Sequence, residues 1–141
     1  MSQKIDDIQN QIIEEFSFFD DWMEKYEYII EMGKSLPIID DIYKSPEYLI
    51  KGCQSQVWLH ANVKESKIYF TADSDAIITK GIIALLVRVL SGQDIKEIAT
   101  TDLYFIDKIG LKEHLSPTRS NGLLSMVKQM KMYGAVAHQL N

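Results

Sequence analysis

The sequence predicts an α+β fold, a small antiparallel sheet covered by several helices. Three observations predict it. Apolar residues recur at spacings of three and four in the N-terminal part and again through the second half of the chain. Between them lies a stretch in which apolar and polar residues alternate with the period of a strand. A polar triplet then splits that stretch as a hairpin turn would. The chain has 141 residues, which suits one domain spanning 1–141, and no repeat, low-complexity tract or Gly/Ser linker divides it.

The elements follow in order. Ile5, Ile8, Ile12, Phe16 and Phe19 form the stripe of an amphipathic helix, with a break over residues 17–21. Asp21 with Glu24 resembles a capping box and opens a second helix, whose inner face is Trp22, Tyr26, Ile29, Ile30 and Gly33. Gly33 and Pro37 should end it, since Gly tolerates a left-handed cap and Pro cannot continue a helix. The odd positions of residues 57–63 are all apolar, which predicts a half-buried strand. Residues 67–72 alternate likewise, with Lys64-Glu65-Ser66 as the turn. Two strands are marginal alone, and residues 48–51 are the candidate for a third.

From Asp73 onward the pattern is helical. Ser74 or Asp75 should cap a helix running to about Leu90 that is apolar all round except at Thr79, Lys80 and Arg88, as a central buried helix would be. Ser91-Gly92 ends it. Two short pieces follow, residues 94–99 and 102–109, the second closed by Gly110. Ser116-Pro117 announces the last helix, with Leu123, Met126, Val127, Met130 and Tyr133 as its inner stripe.

Composition narrows the function classes. Twenty acidic against 15 basic residues leave a net charge of −5, which argues against a nucleic-acid partner. The N-terminus has no apolar core of a signal peptide. The most apolar stretch, residues 81–87, is far shorter than the roughly 20 residues of a membrane span. The expected location is the cytoplasm, away from the membrane. One cysteine, Cys53, cannot form an internal disulfide, and with three scattered histidines it makes a poor metal cage. No resident metal is expected.

Cys53 sits in Lys51-Gly52-Cys53-Gln54-Ser55-Gln56. It reads either as a small buried hydrophobe or as a thiol presented at a loop tip. The polar neighbours, with Gly52 freeing the backbone to turn, support the second. His60 falls on the outward phase of a strand and His138 near the C-terminus, so both read as surface residues. His114 precedes the Ser116-Pro117 cap and could approach another loop. Arg119 lies in the first turn of the last helix, where a cation is unfavourable. It therefore suggests a partner, whether an internal carboxylate, an incoming anion or a protein. The glycines are isolated, so no phosphate loop appears, and there is no metalloprotease His pair or nucleophile elbow.

Read together, four segments resemble the SufE family of sulfur acceptors. They are Asp21-Trp22 with Tyr26-Glu27-Tyr28 and Gly33-Lys34; Gly52-Cys53-Gln54-Ser55-Gln56-Val57-Trp58-Leu59; Ser74-Asp75-Ala76 leading into Gly81-Ile82-Ile83-Ala84-Leu85-Leu86; and Leu115-Ser116-Pro117-Thr118-Arg119-Ser120-Asn121-Gly122-Leu123. The resemblance runs over residues 5–137. It implies the SufE/NifU (IscU-like) fold and a protein that takes sulfane sulfur as a persulfide on Cys53. The implied donor is a SufS-like, pyridoxal-phosphate cysteine desulfurase that the acceptor stimulates, and the implied recipient is a SufB-containing scaffold for iron–sulfur cluster assembly. Pyridoxal phosphate would belong to the desulfurase, leaving this chain without a cofactor of its own, as a monomer or homodimer. Asp75 and Arg119 match family motifs near the working face, and Gly52, Gln54, Ser55 and His114 join them as candidate partner contacts. A CsdE-type paralogue would show the same motifs. Two other classes stay open on the residues: a non-catalytic protein-binding adaptor, and a thiol enzyme using Cys53 and His114.

Overall fold

The computed structural model describes residues 4–140. Helix α1 (Ile5–Phe16) buries the predicted stripe of Ile5, Ile8, Ile12 and Phe16. Phe19 lies beyond its end and packs edge-on against Phe16. Helix α2 (Trp22–Lys34) starts where predicted, with the Glu24 N–H donating to the Asp21 carboxylate at 2.9 Å. It does not stop at Gly33. A Cβ added at Gly33 would lie 2.9 Å from the Gly81 nitrogen, and one at Gly81 would lie 2.2 Å from the Ile29 carbonyl oxygen. Gly33 is therefore helical, and its missing side chain lets α2 meet the central helix backbone to backbone.

That central helix is α3 (Ile77–Leu90), buried on nearly every side as its composition predicts. It covers a sheet of β1 (Val57–Lys64), β2 (Lys67–Ser74) and β3 (Gln93–Asp94), in the order β1-β2-β3. β1 and β2 are antiparallel, in register from Val57 opposite Ser74 to Lys64 opposite Lys67. Their two-residue turn places Glu65 at φ 53° and Ser66 at φ 67°, the left-handed pair that matches strand twist in a tight hairpin. Val57, Leu59, Ile68, Phe70 and Ala72 form the buried face.

The third strand is not residues 48–51. Pro46–Tyr48 is a 3-10 turn opened by a proline that has no N–H to give a ladder, and Leu49 makes a single bridge to Trp58. With a second turn, Asp41–Tyr43, it covers the outer face of β1 instead. His60 is consequently no free surface residue. Its ring stacks on Tyr43 at 3.6 Å between centroids, with Tyr48 against its edge, and burial lowers its pKa.

Ser74 and Asp75 do not cap α3, whose N-cap is Ala76 without a side-chain bond. Both side chains turn back to Gln56, the residue before β1. The Ser74 hydroxyl donates to the Gln56 carbonyl at 2.8 Å, and the Gln56 N–H donates to the Asp75 carboxylate at 3.0 Å.

Helical turns α4 (Ile95–Ile98), α5 (Phe105–Lys108) and α6 (Leu111–His114) lead to the long α7 (Pro117–Leu140). The predicted helix over 102–109 shrinks to α5 because wholly buried Gln9 takes its first polar groups. Its amide donates to the Asp102 carbonyl and accepts from the Phe105 N–H, each at 3.1 Å. Helices α1 and α3 are further joined by a bidentate pair, Arg88 to Glu15 at 2.8 and 2.6 Å, to which Tyr28 of α2 adds its hydroxyl. The Arg88 guanidinium holds the Glu15 carboxyl below its usual pKa.

Candidate functional site

The segment between Ile50 and Val57 is a loop with a closed neck. The Ile50 N–H donates to the Val57 carbonyl at 2.8 Å, and Ser74 and Asp75 hold both backbone groups of Gln56. Within it Gly52 takes φ +91°, and a Cβ there would stand 2.4 Å from the Ser125 hydroxyl oxygen on α7. That close approach turns Cys53 inward against α7.

Cys53 is half-buried and packs against the apolar core, contrary to the expectation of a thiol standing in a polar loop clear of any apolar face. Its thiol donates a long hydrogen bond to the Gly122 carbonyl, at 3.5 Å. A Cβ at Gly122 would lie 3.6 Å from Sγ, an ordinary van der Waals contact. Burial pushes the thiol pKa up, and a carbonyl acceptor also favours the protonated form. A thiol so held is neutral and a weak nucleophile.

Beside Sγ lies a cavity of about 90 Å³. Cys53, Gln54 and Ser55 line it from the loop, Thr79 from α3, and Arg119 and Gly122 from α7, with Ile82 and Met126 as apolar wall. The structure thus brings four of the sequence-predicted residues, Cys53, Gln54, Ser55 and Arg119, around one space. Gly52 shapes the loop's approach. Asp75 stays outside the cavity lining and anchors the loop's exit through Gln56. His114 is exposed, stacks on Trp22 at 4.4 Å and 16°, and does not line the cavity.

Arg119 finds its partner in a phenol: Nη1 donates to the Tyr26 hydroxyl at 3.1 Å. No carboxylate lies within ion-pair distance of it among the described residues. Its own N–H donates to the Ser116 hydroxyl, the predicted cap, at 3.3 Å.

Comparison with known proteins settles the lineage. The family model for SufE, described as an Fe-S metabolism associated domain, matches residues 10–134. The chain belongs to the SufE family. An uncharacterized SufE-like protein of Rhizobium etli is 46% identical over 127 residues, covering 86% of each chain. One of Rhizobium meliloti is 42% identical over 127 residues, covering 86% of this chain and 91% of its own. SufE-like protein 1, chloroplastic/mitochondrial, of Arabidopsis thaliana is 40% identical over 122 residues, which is 86% of this chain and 33% of that one. The SufE fold is shared with the solution structure of a hypothetical protein from Thermus thermophilus, at TM-score 0.77, 19% identity and coverage of 94% and 96%. Membership ties the chain to iron–sulfur metabolism and, in general terms, to sulfur transfer.

Four residues of this SufE site escaped the sequence reading as functional: Tyr26, Thr79, Gly122 and Ser125. Thr79 carried a signal, as an uncharged polar residue within an otherwise apolar run. Tyr26 and Gly122 lay within the family-like segments without a role of their own, and Ser125 carried no signal, because only the packing of α7 against the loop and α2 gives them neighbours. Among the described residues no group of His, Cys, Asp or Glu is placed to hold a metal, and no helix is long and apolar enough to cross a membrane.

Proposed function

We propose that this SufE protein accepts sulfane sulfur on Cys53 from a SufS-like cysteine desulfurase, stimulates it, and passes the sulfur to a SufB-containing scaffold. The observation that carries the reading is a single thiol, tucked against α7, on a loop whose neck is fixed by hydrogen bonds. Released from the Gly122 carbonyl and the apolar wall, the thiol regains an ordinary pKa and a reactive thiolate fraction. That thiolate attacks the outer sulfur of the desulfurase's cysteine persulfide. One S–S bond forms on Cys53, one breaks, and the desulfurase cysteine leaves as thiolate, with no net oxidation. With no second thiol in the chain, no internal disulfide can expel the cargo as sulfide.

Pyridoxal phosphate belongs to the desulfurase in this scheme, and the acceptor works as one domain in the cytoplasm. Arg119, Gln54 and Ser55, beside the thiol, are the contacts a partner meets first. Incubation with a cysteine desulfurase and cysteine should add the mass of one sulfur to the peptide containing Cys53. The same gain on Cys53→Ser would overturn the reading. Full biological activity of that variant would point instead to an adaptor that only binds.

A further inference from the structure

We infer that Tyr26 is a positioning residue for sulfur transfer: its phenol orients the Arg119 guanidinium beside Cys53 without neutralising it. The inference rests on the carrier reading above. Tyr26 projects from α2 with its ring packed against the apolar core, which fixes the place of the hydroxyl. There the hydroxyl accepts from Arg119 Nη1 at 3.1 Å. One turn earlier on the same helix, Trp22 also packs against the core and stacks on His114. Two rings of α2 thus hold the chain on both sides of Leu115-Ser116-Pro117, the entrance to α7. That grip brings Thr118 and Arg119 to the edge of the space that Cys53 lines.

The chemistry of the acceptor matters. A carboxylate in that place would make an ion pair and cancel the charge, whereas a phenol accepts the hydrogen bond as a neutral group. The other guanidinium donors have no partner among the described residues. The cation also stands in the first turn of α7, where the helix dipole disfavours it. It does not serve the tucked thiol, whose pKa is moved by burial alone. An exposed cation, oriented and uncompensated, is arranged for an anion that arrives from outside. Transfer supplies one. As the Cys53 thiolate attacks the donor persulfide, negative charge passes from Sγ through the moving sulfur to the departing thiolate. A guanidinium already aimed at that line meets the charge at once. A loose one must first be ordered, at a cost in side-chain entropy that slows the step.

Single-turnover transfer tests this. A SufS-like desulfurase is loaded with persulfide by cysteine, desalted, and mixed with rising concentrations of wild type, Tyr26→Phe, Arg119→Ala or the double variant. Sulfur on the Cys53 peptide is followed by mass, giving a plateau rate and a half-saturating concentration for each. Tyr26→Phe keeps the packed ring and removes only the hydroxyl. Its plateau rate should fall about threefold to tenfold, the range for one hydrogen bond, with the half-saturating concentration within about twofold of wild type. In the Arg119→Ala background the same change should have no further effect, because the hydroxyl acts through the guanidinium. Equal plateau rates for wild type and Tyr26→Phe would overturn the inference, as would losses that multiply in the double variant. A raised half-saturating concentration with an unchanged plateau would also overturn it, making Tyr26 a docking contact instead. Failure of wild-type Cys53 to gain sulfur would overturn the carrier reading itself.

Discussion

Replacing Gly52 by alanine should release the cysteine. Gly52 sits at φ +91°, and a residue with a Cβ costs about 1–2 kcal/mol in left-handed backbone. The new Cβ would also stand 2.4 Å from the Ser125 hydroxyl oxygen and 3.3 Å from the Ser125 Cβ. The hydroxyl can rotate away; the Ser125 Cβ, fixed to α7, cannot. Together these place about 2 kcal/mol against the tucked loop, and at about 1.4 kcal/mol per decade the released population rises about tenfold to thirtyfold. The tucked thiol is neutral and half-buried, so alkylation proceeds through the released form, and its rate should rise by the same factor. The measurement is the iodoacetamide rate across pH, with circular dichroism confirming that the domain stays folded. In wild type the rate should rise with a midpoint above the ordinary thiol value of about 8.5, because burial raises this pKa. In Gly52→Ala the midpoint should fall back toward that value. A folded Gly52→Ala protein that alkylates at the wild-type rate and midpoint would refute the link between loop strain and reactivity.

Two further predictions concern stability. Glu15→Gln breaks the bidentate pair with Arg88, whose side chains are 33% and 29% exposed, and after allowance for solvent screening it should cost about 1 kcal/mol at pH 7. The Glu15 carboxyl is held below its usual pKa. The pair's contribution is therefore full above the unfolded value of about 4.3 and fades as pH falls through the folded one. Urea midpoints of wild type and variant should differ at pH 7 and converge in acid; a constant gap would contradict the assignment. Ser66→Gly relieves a non-glycine residue at φ 67° in the hairpin and should stabilise by about 0.5–1 kcal/mol, read as a raised urea midpoint, with an unchanged or lowered midpoint counting against it.

The sequence made most of the helices legible because their apolar stripes are local: α1 shows in Ile5, Ile8, Ile12 and Phe16 without reference to anything else. Features that depend on distant partners were misread. Gly33 looked like a helix end until Gly81 appeared opposite it. Asp75 and Ser74 looked like caps until Gln56 came within reach, and residues 48–51 looked like a strand although β2 pairs with Gln93–Asp94 on its other edge. Cys53 itself was singled out at once from its loop and its family motif. Its inward pose was not, because it is set by Gly122 and Ser125, about 70 positions further along the chain.

The closed neck beneath Cys53 also sets a working distance. Cys53 is three residues from Ile50 and four from Val57, and at roughly 3.3–3.6 Å per extended residue the loop can carry its sulfur no more than about 10 Å from the neck. Under the carrier function proposed above, the protein is a short-armed courier: donor and recipient must each bring their sulfur chemistry to within that radius of the same spot. Two partners bound there would collide. Pick-up and delivery are thus successive visits to one doorway, and the partner's departure becomes part of the transfer cycle.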